Sequence, residues 1–199
     1  MKNLLLICGL FVATGCETTR TAVNLDAAQE VKTVAVLPFD LEAGLSPEAA
    51  RDSEAFFAAL LMQNGFKVVE RERMGAILKE QALSASGLTG ADTLKLGELA
   101  HADALLFGKV LKNQEGKKTV SETDSNGQSV EAQRRFYDFK LSVRLVRSQA
   151  GETVFSQVNQ IAERVQDPKF IFPDDLSAWR AMVLDGMGRD LKKALKKKK

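Results

Sequence analysis

Residues Val31 to Phe39 read VKTVAVLPF, and Val34-Ala-Val-Leu37 at the centre is apolar at every position. A strand with one wet face would alternate between apolar and polar. A short unbroken run is expected of a strand covered on both faces, as in sheets with helices on either side. Pro38 closes the run, since proline has no N–H to give to a ladder.

The flanking sequence supplies the helices that such a strand needs. Ser46 is a good N-cap and Pro47 fits the first helical position. Ala55, Phe56, Ala59, Leu60 and Met62 then mark an apolar face, and Gly65 is a natural stop. Phe66 to Glu70 (FKVVE) reads as a second strand, and Arg73 to Ser84 as a helix with Met74, Ile77, Leu78 and Ala82 on one side. A turn at Ser86 to Gly90 leads to Asp92, the expected cap of a helix bearing Leu94, Leu96, Leu99 and Ala100. Ala104 to Leu111 (ALLFGKVL) is a third strand.

From Lys112 to Arg135 the chain is polar, and reads either as a long loop or as an exposed hairpin around Asp124-Ser-Asn-Gly127. Tyr137, Phe139, Leu141, Val143 and Leu145 then alternate with polar residues, the period of a half-buried strand. Ala150-Gly151 turns it, and Thr153 to Ala162 returns as its antiparallel partner. Asp174 or Asp175 is the expected cap of a last helix, along which Trp179, Met182, Val183, Met187, Leu191 and Leu195 recur. The order β-α-β-α-α-β, hairpin, helix predicts an α/β fold: one domain with a mixed sheet flanked by helices.

The N-terminus carries a different signal. Lys2 precedes an apolar run from Leu4 to Ala13, which as a helix would rise about 15 Å, half of a ~30 Å hydrocarbon core. A positive start, a short apolar core and small residues behind it describe an export signal. Its end, Ala13-Thr-Gly-Cys16, resembles the bacterial lipobox, whose cysteine is lipidated and becomes the first residue of the mature chain. Cys8 would leave with the signal, and lipidation explains the one cysteine that remains. The expected partition is therefore a signal peptide over 1–15, a lipidated tether over 16–30, an α/β periplasmic domain over 31–189 and a Lys-rich tail over 190–199.

Charge separates the tail from the body. The last ten residues hold six lysines (Lys192, Lys193, Lys196, Lys197, Lys198 and Lys199) against Asp190. The rest of the mature chain has 21 basic and 25 acidic residues. The tail is either a contact for an anionic lipid or cell-wall polymer or a solvated helix end, where cations are favoured. A body that is not basic argues against nucleic acid. Little else points to chemistry. His101 sits alone at a predicted helix end, and no His or Cys cluster suits a metal. No nucleophile elbow, phosphate loop or dinucleotide fingerprint occurs, so no cofactor is expected. Glu70 and Glu72 would share a face only if Glu70 to Arg73 stays extended, and solvated charges at a strand end account for them more simply.

Several stretches carry a resemblance to a known family. They are Val34 to Phe39, Lys67-Val-Val-Glu-Arg71 with Ile77 to Gln81 behind it, the turn Leu83 to Leu88, and Leu96 to Val110 ending in ADALLFGKV. In this order after a lipobox they resemble the superfamily of CsgG-type curli-secretion lipoproteins, whose relatives include the holdfast anchor HfaB and the penicillin-binding-protein activator LpoB. The resemblance implies a periplasmic α/β domain on an outer-membrane anchor, without catalysis. In the CsgG branch it also implies rings whose subunits each add two hairpins to a membrane barrel. Lys112 to Asp124 does not suit such a strand. Lys112, Gln114, Gly116, Lys118, Val120 and Glu122 would fall on one face and Asn113, Glu115, Lys117, Thr119, Ser121 and Thr123 on the other, and neither is apolar.

Two functions follow as expectations. One is a non-enzymatic, lipid-anchored component of envelope assembly or secretion, working through other envelope proteins and copies of itself and lacking a barrel of its own. The other is an LpoB-like regulator that binds a cell-wall synthase or peptidoglycan. A tether of 14 residues spans at most ~50 Å and favours the first. Glu17 after the cysteine, where an aspartate would favour inner-membrane retention, leans towards the outer membrane.

Overall fold

The computed structural model describes residues 17–24, 28, 30–69, 71–81, 83, 88–165 and 176–195. In chain order the elements are strands β1 (Glu17–Val23), β2 (Thr33–Val36) and β3 (Asp40–Leu41), helix α1 (Pro47–Gln63), strand β4 (Lys67–Val69), and helices α2 (Arg71–Glu80) and α3 (Gly90–Ala100). Strands β5 (Ala104–Thr123), β6 (Ser129–Arg147) and β7 (Thr153–Val165) and helix α4 (Leu176–Leu195) complete the fold. All seven strands form one mixed sheet in the order β1-β7-β6-β5-β2-β4, with β3 also on β5. β2 pairs in parallel with both β4 and β5, while β5, β6, β7 and β1 are antiparallel neighbours. The α/β class and the single mixed sheet are as expected.

Alternation within β2 sets the layers. Val34 and Val36 face a core built with Phe57 and Leu61 of α1 and Trp179, Val183, Met187 and Leu191 of α4. Ala35 and Leu37 face the opposite core, built with Met74 and Leu78 of α2 and Leu96 and Ala100 of α3. The continuous apolar run at Val34 is thus explained by helices on both sides. The first core also takes every second residue of β6: Tyr137, Phe139, Leu141, Val143 and Leu145 are all buried there. Trp179 stacks on Tyr137 with ring centroids 5.7 Å apart. The second core contains no residue of β6, β7 or β1. Val146, opposite Leu105, is buried on this side by the same layer, so among the described residues the sheet opposite α4 is open across β7, β1 and the part of β6 that precedes Val146.

Local signals set the helix ends. The Ser46 hydroxyl accepts from the Glu48 N–H, Pro47 opens α1, and Gly65 beyond its end takes φ +85°. The cap of α3 differs from the expectation. Thr89 is the N-cap, and Asp92 is the third residue of a capping box, its carboxylate accepting from the Thr89 N–H at 2.9 Å and hydroxyl at 2.7 Å. Those hydrogen bonds hold the Asp92 carboxyl below its ordinary pKa. Ala55, Met62, Leu94, Leu99 and Met182, expected on apolar faces, are exposed, because they lie off the stripes that face the sheet. Ala82, Asp174 and Asp175 lie outside the described residues.

The stretch ahead of β2 holds an element that its polar sequence does not suggest. Glu17 to Val23 is an edge strand, paired residue for residue with β7 from Glu17–Ile161 to Val23–Phe155. Among the described residues the sheet thus includes Glu17 to Val23, ahead of residue 31. Thr-rich polar sequence passes for a linker because an edge strand needs backbone partners rather than apolar side chains on both faces.

Two glycines give opposite predictions. A Cβ on Gly97 in α3 would sit 2.2 Å from the Ser148 Cβ and 3.3 Å from the Ala102 carbonyl. A Cβ on Gly75 in α2 would meet nothing within 4 Å. In urea unfolding, Gly97→Ala is expected to destabilise by about 1–3 kcal/mol. Gly75→Ala is expected to stabilise by roughly 0.5–1 kcal/mol. Equal effects of one sign would contradict this packing.

Candidate functional site

The region read as loop or hairpin is a hairpin. β5 and β6 stay paired out to Thr123–Ser129. The tip is an Asx-type turn: the Asp124 carboxylate accepts from the Asn126 and Gln128 N–H groups, both at 2.8 Å, and Gly127 takes φ +80°. β7 accompanies β6 only as far as Phe136–Val165. Among the described residues, β5 and β6 continue beyond the Gly116–Phe136 pair for seven further pairs without a third strand, about 20 Å of ribbon at ~3.3 Å per residue.

A bulge decides which side each residue of this ribbon faces. The register shifts between Val110 and Lys112, so that Leu111 is the extra residue. Below it, Ala104, Leu106 and Val110 point to the α4 side. Above it the parity reverses, and Lys112 pairs with Lys140 on the open side. A one-residue slip exchanges faces in a strand, and here it lifts Lys112 out of the apolar core.

The two faces of the ribbon then differ. On the α4 side its pairs are Lys117–Arg135, Thr119–Gln133, Ser121–Glu131 and Thr123–Ser129, all polar. On the open side they are Gly116–Phe136, Lys118–Arg134, Val120–Ala132 and Glu122–Val130. Arg134 clamps Glu122 through Nε and Nη2, both at 2.6 Å. The apolar members Phe136, Ala132 and Val130 come from the returning strand, which an inspection of residues 112–124 alone misses.

The open side of the sheet below the ribbon is basic. Lys109, Lys140 and Arg144 face it from β5 and β6, and Arg20 from β1, level with Val158. Lys112 and Lys140 stand directly opposite each other, an unfavourable like-charge pair. The nearly buried Asp138 answers one of them: Lys112 Nζ donates to its Oδ2 at 2.9 Å, and Gln160 Nε2 donates to its Oδ1 at 3.3 Å. The Arg144 guanidinium lies 5.0 Å from the centroid of the Phe107 ring. Lys109 bridges to Glu42 at 3.1 Å in the adjoining loop. Beside Lys109, burial pushes the Asp40 carboxyl up, and the lysine partly offsets it.

The residues singled out from sequence are scattered. Cys16 and Lys196 to Lys199 lie outside the described residues. Lys192 and Lys193 are exposed near the end of α4, and Lys192 lines a cleft of about 320 Å³ with Val31, Lys32, Asn64 and Phe66. That cleft is at the end of the sheet where β2 begins, whereas Glu17 is at the opposite end, level with Ile161. His101 caps α3 with φ 51° and is exposed. Glu72 lies in the first turn of α2 rather than on an extended strand, and Glu70 is outside the described residues. Among the described residues no cluster of His, Cys, Asp and Glu could hold a metal, and no helix is long and apolar enough to cross a membrane.

Comparison with known proteins adds the following. The family model described as "Curli production assembly/transport component CsgG" matches residues 16–167. No curated protein matches the sequence. Among solved structures, the fold is similar to that of PelC from Paraburkholderia phytofirmans, solved as a dodecamer, with 15% identity and a TM-score of 0.54 over 92% of this chain and 100% of that one. It is also similar to lipoprotein GNA1162 from Neisseria meningitidis, with 16% identity and a TM-score of 0.49 over 79% of this chain and 99% of that one. The LpoB C-terminal domain from Salmonella enterica shares 14% identity, with a TM-score of 0.41 over 67% of this chain and 84% of that one. At these identities the likeness is one of fold.

No side chain between Lys117 and Arg135 belongs to either core. Replacing that segment by an Asn-Gly turn between Gly116 and Phe136 is therefore expected to leave the thermal midpoint within a few degrees of the parent. A collapse of the melting transition would show that the ribbon is part of the folding unit.

Proposed function

The chain belongs to the CsgG family, and from that premise we propose that it is a lipid-anchored, non-enzymatic component of an envelope assembly or secretion system. In this reading the signal over 1–15 is removed, Cys16 is acylated, and the protein sits on the periplasmic face of the outer membrane. It acts through contacts with other envelope proteins and with copies of itself.

The observation that carries this reading is the place of β1. Pairing with β7 starts at Glu17, one residue after Cys16. An acylated Cys16 would thus fasten the sheet directly to the bilayer. That supports a component working at its own membrane. An LpoB-like regulator reaching a distant synthase needs a free arm, and the residues available for one are taken up in a strand. The ribbon runs on beyond the level of Glu17, at the same end of the sheet as the proposed anchor. Its open-side Lys118, Glu122 and Arg134 weigh against an autonomous barrel, since Lys or Arg facing mid-bilayer lipid costs roughly 2–4 kcal/mol. Lys192 and Lys193 stand on α4, on the covered side of the sheet, and for them and the lysines that follow we propose an anionic cell-wall polymer as the contact.

Mass spectrometry of the protein from cell membranes is expected to find Cys16 as an acylated N-terminus. Cys16→Ala is expected to shift the protein from the membrane pellet to the soluble fraction. An unmodified Cys16 would end the anchoring proposal. Light scattering of the acylated protein in mild detergent is expected to give one closed oligomer, and a monomer would remove self-assembly from the reading.

A further inference from the structure

We infer that the open side of the sheet is a docking surface for anionic lipid headgroups, and that the ribbon lies flat along the membrane rather than across it. The inference rests on the acylation of Cys16 proposed above and specifies which surface the anchor presents.

Three independent features fall on this one side. The first is charge. Arg20 projects from β1, Lys140 and Arg144 from β6 and the Glu42-paired Lys109 from β5, with no helix packed over them among the described residues. The Lys112–Lys140 opposition breaks a pairing rule, and the internal carboxylate Asp138 contacts only Lys112 of the two. Opposed cations that a sheet could avoid are accounted for by an external anion. The second feature is the ribbon. Its open side bears Phe136, Val120 and Val130 beside cationic stems, whereas its other side is uniformly polar. That is the arrangement of an element lying in the interfacial plane, apolar side down, with Arg134 and Glu122 held together as an ion pair between the apolar residues. The third is the anchor. β1 begins next to Cys16 and contributes Arg20 to the basic side, so the acyl chains would enter lipid at the border of the patch. An acyl anchor and a basic patch together make stable attachment. A ribbon of about 20 Å, by contrast, falls short of a ~30 Å hydrocarbon core.

Parity provides the test. Val130 is 41% exposed on the open side, and its neighbour Glu131 is exposed on the other. Single cysteines, Val130→Cys or Glu131→Cys, are labelled with a fluorophore in the full acylated protein. The protein is held in phosphatidylglycerol–phosphatidylethanolamine vesicles that carry a nitroxide lipid. Quenching is expected several-fold stronger at 130 than at 131. It is expected to fall in Lys140→Glu/Arg144→Glu and at about 0.5 M salt, where charges are screened beyond a few ångströms. Equal quenching at both sites would mean insertion across the bilayer and overturn the proposal. So would absence of quenching at both, or indifference to the charge reversal. The parent chain reports separately on the anchor. An acylated Cys16 takes no label, so labelling of the parent marks failure of the acylation reading alone. The 130/131 contrast is then read with the Cys8→Ser/Cys16→Ser chain added to the same vesicles.

Discussion

The structure depends on one set of alternate side chains on β6. Tyr137, Phe139, Leu141, Val143 and Leu145 are buried under α4 and α1, and this fixes which side of the strand is interior along its whole body. β5 must then follow β6 in register. It carries apolar residues at even positions up to Val110 and a lysine at 112. Without a correction, Lys112 would enter the core beside Phe139. The extra residue at Leu111 removes that conflict, and in doing so places Lys112 and Lys118 on the uncovered side. A packing requirement in the core thus determines the chemistry of a surface on the other side of the sheet.

Helix coverage is the second half of that argument. α4 and α1 are tied together at Arg180, which is nearly buried and donates from Nη2 to Glu48 at 3.0 Å and to Asp52 at 2.7 Å. The two carboxylates are about half exposed, so the contact fixes helix placement more than it adds stability. The layer so formed spans the sheet from β2 to β7. α2 and α3 follow β4 and are spent on β2, β4 and the start of β5. Beyond Val146 at the end of β6, nothing described is left to cover β6, β7 and β1 on that side. A sheet of this width with two helices per side but unequal reach must leave part of one face uncovered.

Elements defined by burial were legible in the sequence. The run at Val34, the alternation from Tyr137 to Leu145 and the Ser46-Pro47 start each report an environment that the residues themselves require. Those defined by backbone pairing alone were not. β1 has only threonines, charges and a short apolar end, because a sheet edge demands little of its side chains. The bulge at Leu111 left no mark, since an extra apolar residue in an apolar run changes no local preference. Asp92 was assigned as a cap although Thr89 does that work. Both residues of a capping box have cap-like side chains, and the pairing tells them apart only in three dimensions. The apolar side of the ribbon was hidden for a related reason. Half of it comes from β6, and cross-strand faces can be summed only once the register is known.

The same distinction bears on what an anchor at Cys16 would do. A flexible tether fixes distance but leaves orientation free, and no side of the body would then have a defined relation to the membrane. A strand docked from its first residue removes that freedom. β1 is held through the ladder to β7, so the attachment point keeps its place relative to every strand of the sheet. Edge pairing is the easiest part of a sheet to open, and few apolar contacts reinforce it here. Orientation therefore needs a second contact to be held in place. The side of the sheet that carries cations, an apolar ribbon face and the border of the anchor is where such a contact is chemically supplied.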